Sequence, residues 1–250
     1  MAKAYYNEID PYAAQWLRNL IEAGLIAKGD VDGRDIRDVK PDDLRGYTQC
    51  HFFAGIGGWS LALRLAGWAD NRPVWTGSCP CQPFSKAFVA HGGGKGQADD
   101  RHLLPVFIGL VRELQPTDIF GEQVAEAIKW GWIDEAFWSL EKIGYACGAA
   151  VLPALAFGAR HERKRVYWVA NTGGKGRERH QQVECISFPE TPPQPIGGNA
   201  LARAWQALDG DYKDLLPDDG VSVQVERCAT KGYGNAIVSQ AAAEFIKANM

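Results

Sequence analysis

Short apolar runs alternate along the chain with segments in which apolar residues recur at helical spacing. The first run, residues 3–7, is typical of a β-strand. Asp10-Pro11 then provides an N-cap and a first-turn proline for a helix. Apolar side chains follow at helical spacing from Trp16 to Ile21. The pattern weakens over residues 30–39, where it predicts only a short strand or a turn.

The same alternation continues further along the chain. A strand predicted at residues 49–53 runs into the turn Ala54-Gly55-Ile56-Gly57-Gly58 and then into a helix that reaches Leu65. Strand, glycine turn and helix together are typical of the first unit of a nucleotide-binding α/β fold. Further strands are predicted at 73–76, 118–120 and 166–169, and further helices at 103–114 and 239–247. The alternation predicts a doubly wound, mostly parallel sheet with helices on both faces.

The pattern also divides the chain into three parts. Residues 1–171 carry the α/β alternation. Residues 172–227 show little periodicity and contain Pro192-Pro193 and Gly197-Gly198, which predicts a small irregular subdomain. Residues 228–250 end in the last predicted helix and are expected to return to the first domain.

Composition narrows the class of protein. The chain has 250 residues, of which 46% are hydrophobic, enough for one sizeable core. Its formal net charge is −3, so any surface for nucleic acid must be local. No apolar run approaches the length of a membrane span, and the N-terminal residues are too polar for a secretory signal. The six cysteines are irregularly spaced, without a zinc-binding pattern, which indicates a reduced intracellular protein.

Cys81 is the most informative cysteine. It lies between Pro80 and Gln82, directly after a predicted buried strand. The carboxyl edge of an open α/β sheet is where ligands bind, so a thiol on this stiff turn is a candidate nucleophile. Taken alone, Cys81 also fits a structural thiol.

Five segments of the chain resemble the motifs of the cytosine-5 DNA methyltransferases. They are Phe53-Ala54-Gly55-Ile56-Gly57-Gly58, Pro80-Cys81-Gln82-Pro83-Phe84-Ser85, Gly121-Glu122-Gln123-Val124, the segment from Phe157 to Arg165, and Gly234-Asn235-Ala236-Ile237-Val238. Gln123 stands where the family has asparagine, and His161 where it has glutamine. Each motif alone is common, but they follow the family's order. The resemblance covers nearly everything except residues 172–227.

The resemblance implies methyl transfer from S-adenosylmethionine to C5 of cytosine in double-stranded DNA, with S-adenosylhomocysteine as the product. Cys81 would attack C6 of a base flipped out of the duplex. Glu122 would hydrogen-bond N3 and the exocyclic amine, Arg165 would contact O2, and Arg163 would support the loop or a phosphate. The family also implies a cytoplasmic location in a prokaryotic or phage-infected cell. No obligatory protein partner is evident.

The resemblance assigns the cofactor site as well. Gly55, Gly57 and Gly58 would allow the backbone to approach the methionine part of the cofactor, Phe53 would lie near the adenine, and Asn235 belongs to the closing motif. The family carries its ribose-binding Glu and its adenine-binding Asp between the glycine turn and the catalytic loop, which corresponds here to the segment from Pro80 to Ser85. Here only about twenty residues separate Gly58 from Cys81, too few for both strands.

The two acidic motifs are found nearer the N-terminus instead. Glu8-Ile9 follows the first predicted strand and resembles the ribose motif, while Asp35-Ile36 resembles the adenine motif. We therefore expect a permuted order, in which these two strands precede the strand of the glycine turn. The other interpretation is that Glu8 and Asp10 merely cap a helix.

Target recognition is expected in residues 172–227, where Lys175, Arg177, Arg179 and His180 form a basic cluster suited to phosphates, or simply a solvated loop. The loop at residues 92–96, with Lys95, could close over a flipped base. The target sequence and the biological role stay open.

Other interpretations of the site also stay open. Glu122 could be an acid at a helix N-terminus, and Arg163 and Arg165 could be solvated charges beside a strand. The substrate could be RNA. The replacements at Gln123 and His161 give slight support to a non-catalytic DNA-binding relative.

Overall fold

The computed structural model describes residues 3–80, 103–157, 163–173 and 237–250. Its strands are Ala4–Asn7 (β1), Gly29–Asp32 (β2), Gln49–Phe52 (β3), Val74–Gly77 (β4), Asp118–Val124 (β5), Ala146–Pro153 (β6) and Lys164–Asn171 (β7). Its helices are Pro11–Glu22 (α1), Pro41–Leu44 (α2), Gly58–Leu65 (α3), Leu104–Leu114 (α4), Trp132–Glu141 (α5) and Ser239–Ala248 (α6), with 3-10 turns at Ile36–Asp38, Ala125–Ile128 and Ala154–Phe157. The predicted alternation of strands and helices is confirmed.

The strands form one sheet in the order β2-β1-β3-β4-β5-β7-β6. The pairs β1–β2, β1–β3, β3–β4 and β4–β5 are parallel, whereas β7 is antiparallel to both β5 and β6. The predicted mostly parallel sheet is therefore correct. Because β7 runs the other way, its first residues lie at the edge where the parallel strands end, and Arg165 pairs with Val124.

Helices cover both faces of the sheet. On one face, Tyr6 of β1 packs in a cluster with Leu17 of α1 and Leu61 of α3. On the other face, Tyr5 packs with Leu44 of α2 and Phe107 of α4. Alternate residues of β1 thus face opposite helical layers, as the two-residue period of a strand requires. No helix in the described ranges is long and apolar enough to span a membrane.

The connection through α3 has an unusual hand. Helices α1 and α3 lie on the same face, but α1 leads from β1 toward the β2 edge and α3 leads from β3 in the opposite direction, to β4. Two crossovers on one face that move in opposite directions have opposite hands. The link from β2 to β3 passes over the other face, where Ile36 and Leu44 pack, and shares the hand of α1. Since nearly all such crossovers are right-handed, we assign the exceptional left hand to α3.

The predicted permutation explains this hand. The strand order places β3, with its glycine turn, between β1 and β4. If the family order held, the chain would pass from α3 to the strand now called β1. In this chain it passes to β4, on the other side of β3, although α3 still packs on the same face of the sheet as α1. The sheet therefore keeps its layers and only the connections change.

Candidate active site

Residues from neighbouring strand ends line one cavity of about 450 Å³ at the carboxyl edge of the parallel strands. The sequence-predicted site residues on its wall are Glu8, Ile9, Asp35, Ile36, Phe53, Gly55, Gly58, Glu122, Arg163 and Arg165. The structure thus brings the N-terminal acidic motifs together with the glycine turn and with the Glu-Gln-Val segment. This edge is the usual place for ligands in open α/β sheets.

The glycine turn owes its shape to two left-handed residues. Gly55 has a φ of 55° and Gly57 a φ of 86°, values that disfavour other residues. A Cβ on Gly55 would meet nothing within 4 Å, so this side of the turn is open. A Cβ on Gly57 would lie 3.3 Å from side-chain atoms of Leu17 and Ile26. Gly57 therefore packs against α1, on the side of the turn that faces away from the cavity, and it is not among the residues that line the cavity.

Gly58 is required by its contact with the C-terminal segment. A Cβ at this position would lie 2.7 Å from Cγ1 of Ile237. The hydroxyl of Ser239 also donates to the Gly58 carbonyl at 3.1 Å. These contacts bring the start of α6 against the glycine turn, and Ile237 lines the same cavity.

Glu8 links the exit of β1 to the glycine turn. Its Oε2 accepts a hydrogen bond from the Gly55 N–H at 2.7 Å, and its Oε1 accepts one from the Asp10 N–H at 2.8 Å. Asp10 itself caps α1, with Oδ1 accepting from the Tyr12 N–H at 3.0 Å. Glu8 therefore does more than cap a helix. Beside it, the side chain of Ile9 is 60% exposed and offers an apolar surface.

Asp35 begins the 3-10 turn Ile36–Asp38 and lies on the cavity wall. Its Oδ1 accepts from the Arg37 N–H at 2.9 Å, and its Oδ2 lies 2.6 Å from Nη2 of Arg37. These hydrogen bonds lower the pKa of Asp35, so the carboxylate is ionised at neutral pH. Asn7 steadies the preceding loop by donating to the Arg34 carbonyl at 2.8 Å.

Phe53 marks the junction between β3 and the glycine turn. Its φ of 53° is uncommon for a residue with a side chain. The ring packs against the core cluster on the α4 face and also lines the cavity. This placement turns the chain sharply out of the sheet.

Glu122 and Arg165 form a largely buried ion pair on the other wall. Oε1 of Glu122 lies 2.8 Å from Nε of Arg165, and their side chains are 10% and 19% exposed. Burial raises the pKa of Glu122, and the charges of Arg165 and Arg163 act against that shift. Glu122 lies within β5, so the interpretation as an acid at a helix N-terminus is wrong. Arg165, being paired and mostly buried, is not a solvated charge.

Two further residues of the wall were not singled out by sequence reasoning. Trp59 is 3% exposed, and its Nε1–H donates to Oγ of Ser78 at 2.9 Å. Both residues line the cavity. Their positions gave a signal, since Trp59 directly follows the glycine turn and Ser78 lies two residues before Pro80, where the segment Pro80-Cys81-Gln82 begins.

The cysteines within the described ranges are poor nucleophiles. Cys50 and Cys79 are buried, and Cys147 is partly buried. Desolvation raises the pKa of Cys50 to about 12, and burial also raises that of Cys79. The pKa of Cys147 is raised to about 12, again chiefly by desolvation. A thiol must ionise to attack, so none of the three suits that role.

Several predicted residues lie outside the described ranges. They are Cys81, His161, Asn235, the loop at 92–96 with Lys95, and the basic cluster of Lys175, Arg177, Arg179 and His180. The three-part division at residues 171 and 227 likewise stays a prediction. The described chain does include Pro80, which lines the cavity one residue before Cys81.

Comparison with a solved structure supports the fold. The Dnmt2 methyltransferase of S. pombe superposes with a TM-score of 0.53 at 13% identity, covering 99% of this chain and 98% of that one. At this identity the likeness shows the α/β methyltransferase fold alone.

Comparison of sequences gives relatives at greater similarity. The chain is 27% identical over 207 residues to the type II methyltransferase M.AplI of Arthrospira platensis, covering 64% of this chain and 58% of that protein. It is 28% identical over 169 residues to the type II methyltransferase M.NgoMIV of Neisseria gonorrhoeae, covering 50% and 51%. The chain thus spans just over half the length of each of these relatives.

The match that shows which family the chain belongs to is the match to a family model. Residues 69–240, more than half of the chain, match the family described as C-5 cytosine-specific DNA methylase. The strand order and the cavity bring the family-like motifs to one edge of the sheet, including those from the N-terminal segment. The chain belongs to the C-5 cytosine-specific DNA methylase family.

Proposed function

We propose that this protein transfers a methyl group from S-adenosylmethionine to C5 of cytosine in double-stranded DNA. The observation that carries the proposal is the Glu122–Arg165 pair, which lies on the same cavity as the glycine turn and Glu8. A buried carboxyl with a raised pKa beside a guanidinium suits recognition of a cytosine ring. Family membership supports the same reaction.

The residues of the cavity fit S-adenosylmethionine. The ionised Asp35 carboxylate can accept from an exocyclic amine, and the Glu8 carboxylate keeps lone pairs for ribose hydroxyls. Ile9 offers an exposed apolar surface, and Gly55 leaves the turn open. The volume of about 450 Å³ lies within the usual range for ligand pockets. When bound, the cofactor supplies an electrophilic sulfonium methyl and leaves as S-adenosylhomocysteine.

The chain's own groups supply the rest of the chemistry. In this proposal the Cys81 thiolate adds to C6 of a flipped-out cytosine. Protonated Glu122 donates a hydrogen bond at N3, so the ring can accept the developing negative charge. Arg165 contacts O2, and Arg163 supports the loop or a phosphate. Once C5 carries the methyl group, water accepts the C5 proton, the C6–S bond breaks and Cys81 leaves as the thiolate, which restores the aromatic base.

A transfer assay tests the proposal. Purified protein is incubated with labelled S-adenosylmethionine and either duplex DNA or RNA, and we expect label in DNA cytosine. DNA containing 5-fluorocytosine should form a covalent complex that Cys81→Ser abolishes. Label in RNA alone would move the substrate to RNA, and binding without transfer or covalent complex would contradict the proposal. Bisulfite sequencing of DNA from expressing cells then gives the sequence context.

A further inference from the structure

We infer that Gln123 is a positioning residue that fixes the root of the nucleophile loop, defined here as residues 78–80. The inference rests on the proposed function, because its importance depends on Cys81, the next residue along the chain. Gln123 lies in β5 directly after Glu122, whereas the root follows β4, the neighbouring strand.

The amide of Gln123 has both of its ends engaged. Its Nε2–H donates to the Cys79 carbonyl at 3.2 Å, and its Oε1 accepts from the Val124 N–H at 2.9 Å. The side chain is 2% exposed, so water does not compete for these bonds. Because the Val124 bond occupies the amide oxygen, the NH₂ group is directed at the root.

A second hydrogen bond holds the same root from the opposite side. Trp59, in the first turn of α3, donates its indole N–H to Oγ of Ser78 at 2.9 Å. The root is therefore tied to the glycine turn through Trp59 and to the Glu122 strand through Gln123. These two hydrogen bonds hold residues 78–80 between the glycine turn, on the proposed cofactor side of the cavity, and Glu122, on the proposed base side. They therefore set the position from which the chain enters the loop with Cys81.

The length of Gln123 matches this role. An asparagine, the family's usual residue, is shorter by one methylene, or about 1.5 Å. The bond to the Cys79 carbonyl is already near the long end of the usual N–H···O range. On this backbone an asparagine amide would therefore fall short of the carbonyl. The replacement of asparagine by glutamine at position 123 therefore provides the side-chain length that this hydrogen bond needs, and it does not indicate a lost active site.

The chain offers a matched control for testing Gln123. Gln49 is 1% exposed, and its amide also donates to backbone carbonyls, those of Ala69 at 3.2 Å and Arg72 at 3.4 Å. It lies at the first residue of β3, at the end of the sheet opposite the cavity. Gln123→Met and Gln49→Met each remove a buried amide while keeping side-chain length, so both should lower Tm.

Only the variants of Gln123 should affect the chemistry. For Gln123→Met we expect kcat to fall by about tenfold to a hundredfold, with KM for S-adenosylmethionine changed by less than about twofold. Gln123→Asn, the milder variant, should also lower kcat. Gln49→Met should keep kcat within about twofold of the wild type. Equal kcat values for Gln123→Met and Gln49→Met would overturn the inference.

A second measurement separates this inference from the proposed function. The rate at which iodoacetamide alkylates Cys81 in the full chain is followed by peptide mass spectrometry, without DNA or cofactor. Gln123→Met should change this rate by about fivefold or more, and Gln49→Met by less than about twofold. An unchanged rate in Gln123→Met contradicts the positioning role even if the wild type transfers no methyl group. Absence of wild-type transfer, by contrast, contradicts only the proposed function.

Discussion

The carboxylate of Glu8 lies 2.7 Å from the backbone nitrogen of Gly55, although 47 positions separate the two residues along the chain. Glu8 follows β1 and Gly55 follows β3, and these strands are neighbours in the sheet. The hydrogen bond joins the segment predicted to bind ribose to the glycine turn. The contact agrees with the permuted order expected from the sequence.

Removing either N-terminal carboxylate should weaken cofactor binding. Glu8→Ala loses a hydroxyl acceptor and the bond to Gly55, and Asp35→Ala loses the proposed acceptor for the adenine amine. A hydrogen bond to a charged group contributes about 1.5–3 kcal/mol, so the Kd for S-adenosylmethionine should rise about tenfold to a hundredfold. Isothermal titration calorimetry measures this directly.

The control for that titration is Asp38→Ala. Asp38 belongs to the same 3-10 turn as Asp35 but is exposed and does not line the cavity. Its loss should leave the Kd unchanged. If Glu8→Ala and Asp35→Ala bind as tightly as Asp38→Ala, the permuted cofactor site is wrong.

Replacing Glu122 should affect catalysis far more than cofactor binding. Glu122→Gln keeps the side-chain shape but removes the acid, so kcat should fall about 10²-fold or more, while Kd for S-adenosylmethionine stays the same. Glu113→Gln, on the exposed side of α4, should have no effect. A kcat for Glu122→Gln close to the wild-type value would rule out the assigned role.

The raised pKa of Glu122 predicts a pH dependence. The proposed mechanism uses the protonated carboxyl, so the rate should decline as pH rises through this pKa. Glu122→Gln should lack that decline. The measurement is the rate of a single turnover across pH. A decline of equal size in the variant would assign the titration to another group.

His51 should make stability depend on pH. It is buried in β3, and desolvation lowers its pKa to about 3. The unfolded chain takes up this proton near pH 6.5, whereas the folded chain does not. The contribution of the neutral His51 to the free energy of unfolding is therefore fully present above about pH 6.5. It is lost progressively as pH falls toward 3, and the loss reaches about 2 kcal/mol by pH 5.

Urea unfolding at pH 7.5 and pH 5.0 tests this dependence. Asn in place of His51 keeps a donor near Oγ1 of Thr76, which lies 2.9 Å from Nδ1 of the ring, but cannot titrate. His51→Asn should lose about 2 kcal/mol less than the wild type between the two pH values. Thr76→Val, which retains the histidine, should show the wild-type dependence. Equal pH dependence in His51→Asn and the wild type would contradict the assignment.

Gly121 should tolerate no side chain. A Cβ there would lie 2.1 Å from two ring atoms of Trp168 on β7, so Gly121→Ala should destabilise the fold by about 1–3 kcal/mol. Adding Trp168→Leu should recover part of that loss. Gly109→Ala, in α4 with nothing within 4 Å, should instead stabilise by about 0.5–1 kcal/mol. Unfolding free energies of these three variants, measured against the wild type, check the expected signs.

The sequence predicted best what depends on nearby residues. The glycine turn and the Asp10-Pro11 helix start are local signals, and both occur where they were expected. Strand β5 was predicted to end at Phe120, and the next two residues, Gly121 and Glu122, are of types that are depleted in strands. It continues to Val124 because pairing with β7 satisfies its backbone. Tertiary pairing there overrides local preference.

Contacts between distant segments could not be predicted from residue order. Nothing local indicates that the amide of Gln123 reaches the Cys79 carbonyl, or that Trp59 reaches Ser78. Both bonds depend on how β4 lies between β3 and β5. The replacement at Gln123 was visible in the sequence, but its proposed role could be inferred only from the distance between its amide and the Cys79 carbonyl in the folded chain.

The left-handed α3 connection has a consequence for how such a chain can arise. Strands β1 and β2 with α1 and α2 form a cassette at one edge of the sheet, attached to the remainder through β3. Moving the cassette to a new place in the gene requires only two new joints, at residues 45–48 and 66–73. Neither joint touches the cavity wall. In evolutionary terms, the residues proposed to bind the ribose and the adenine can move to a different position along the chain while their position on the cavity wall stays the same.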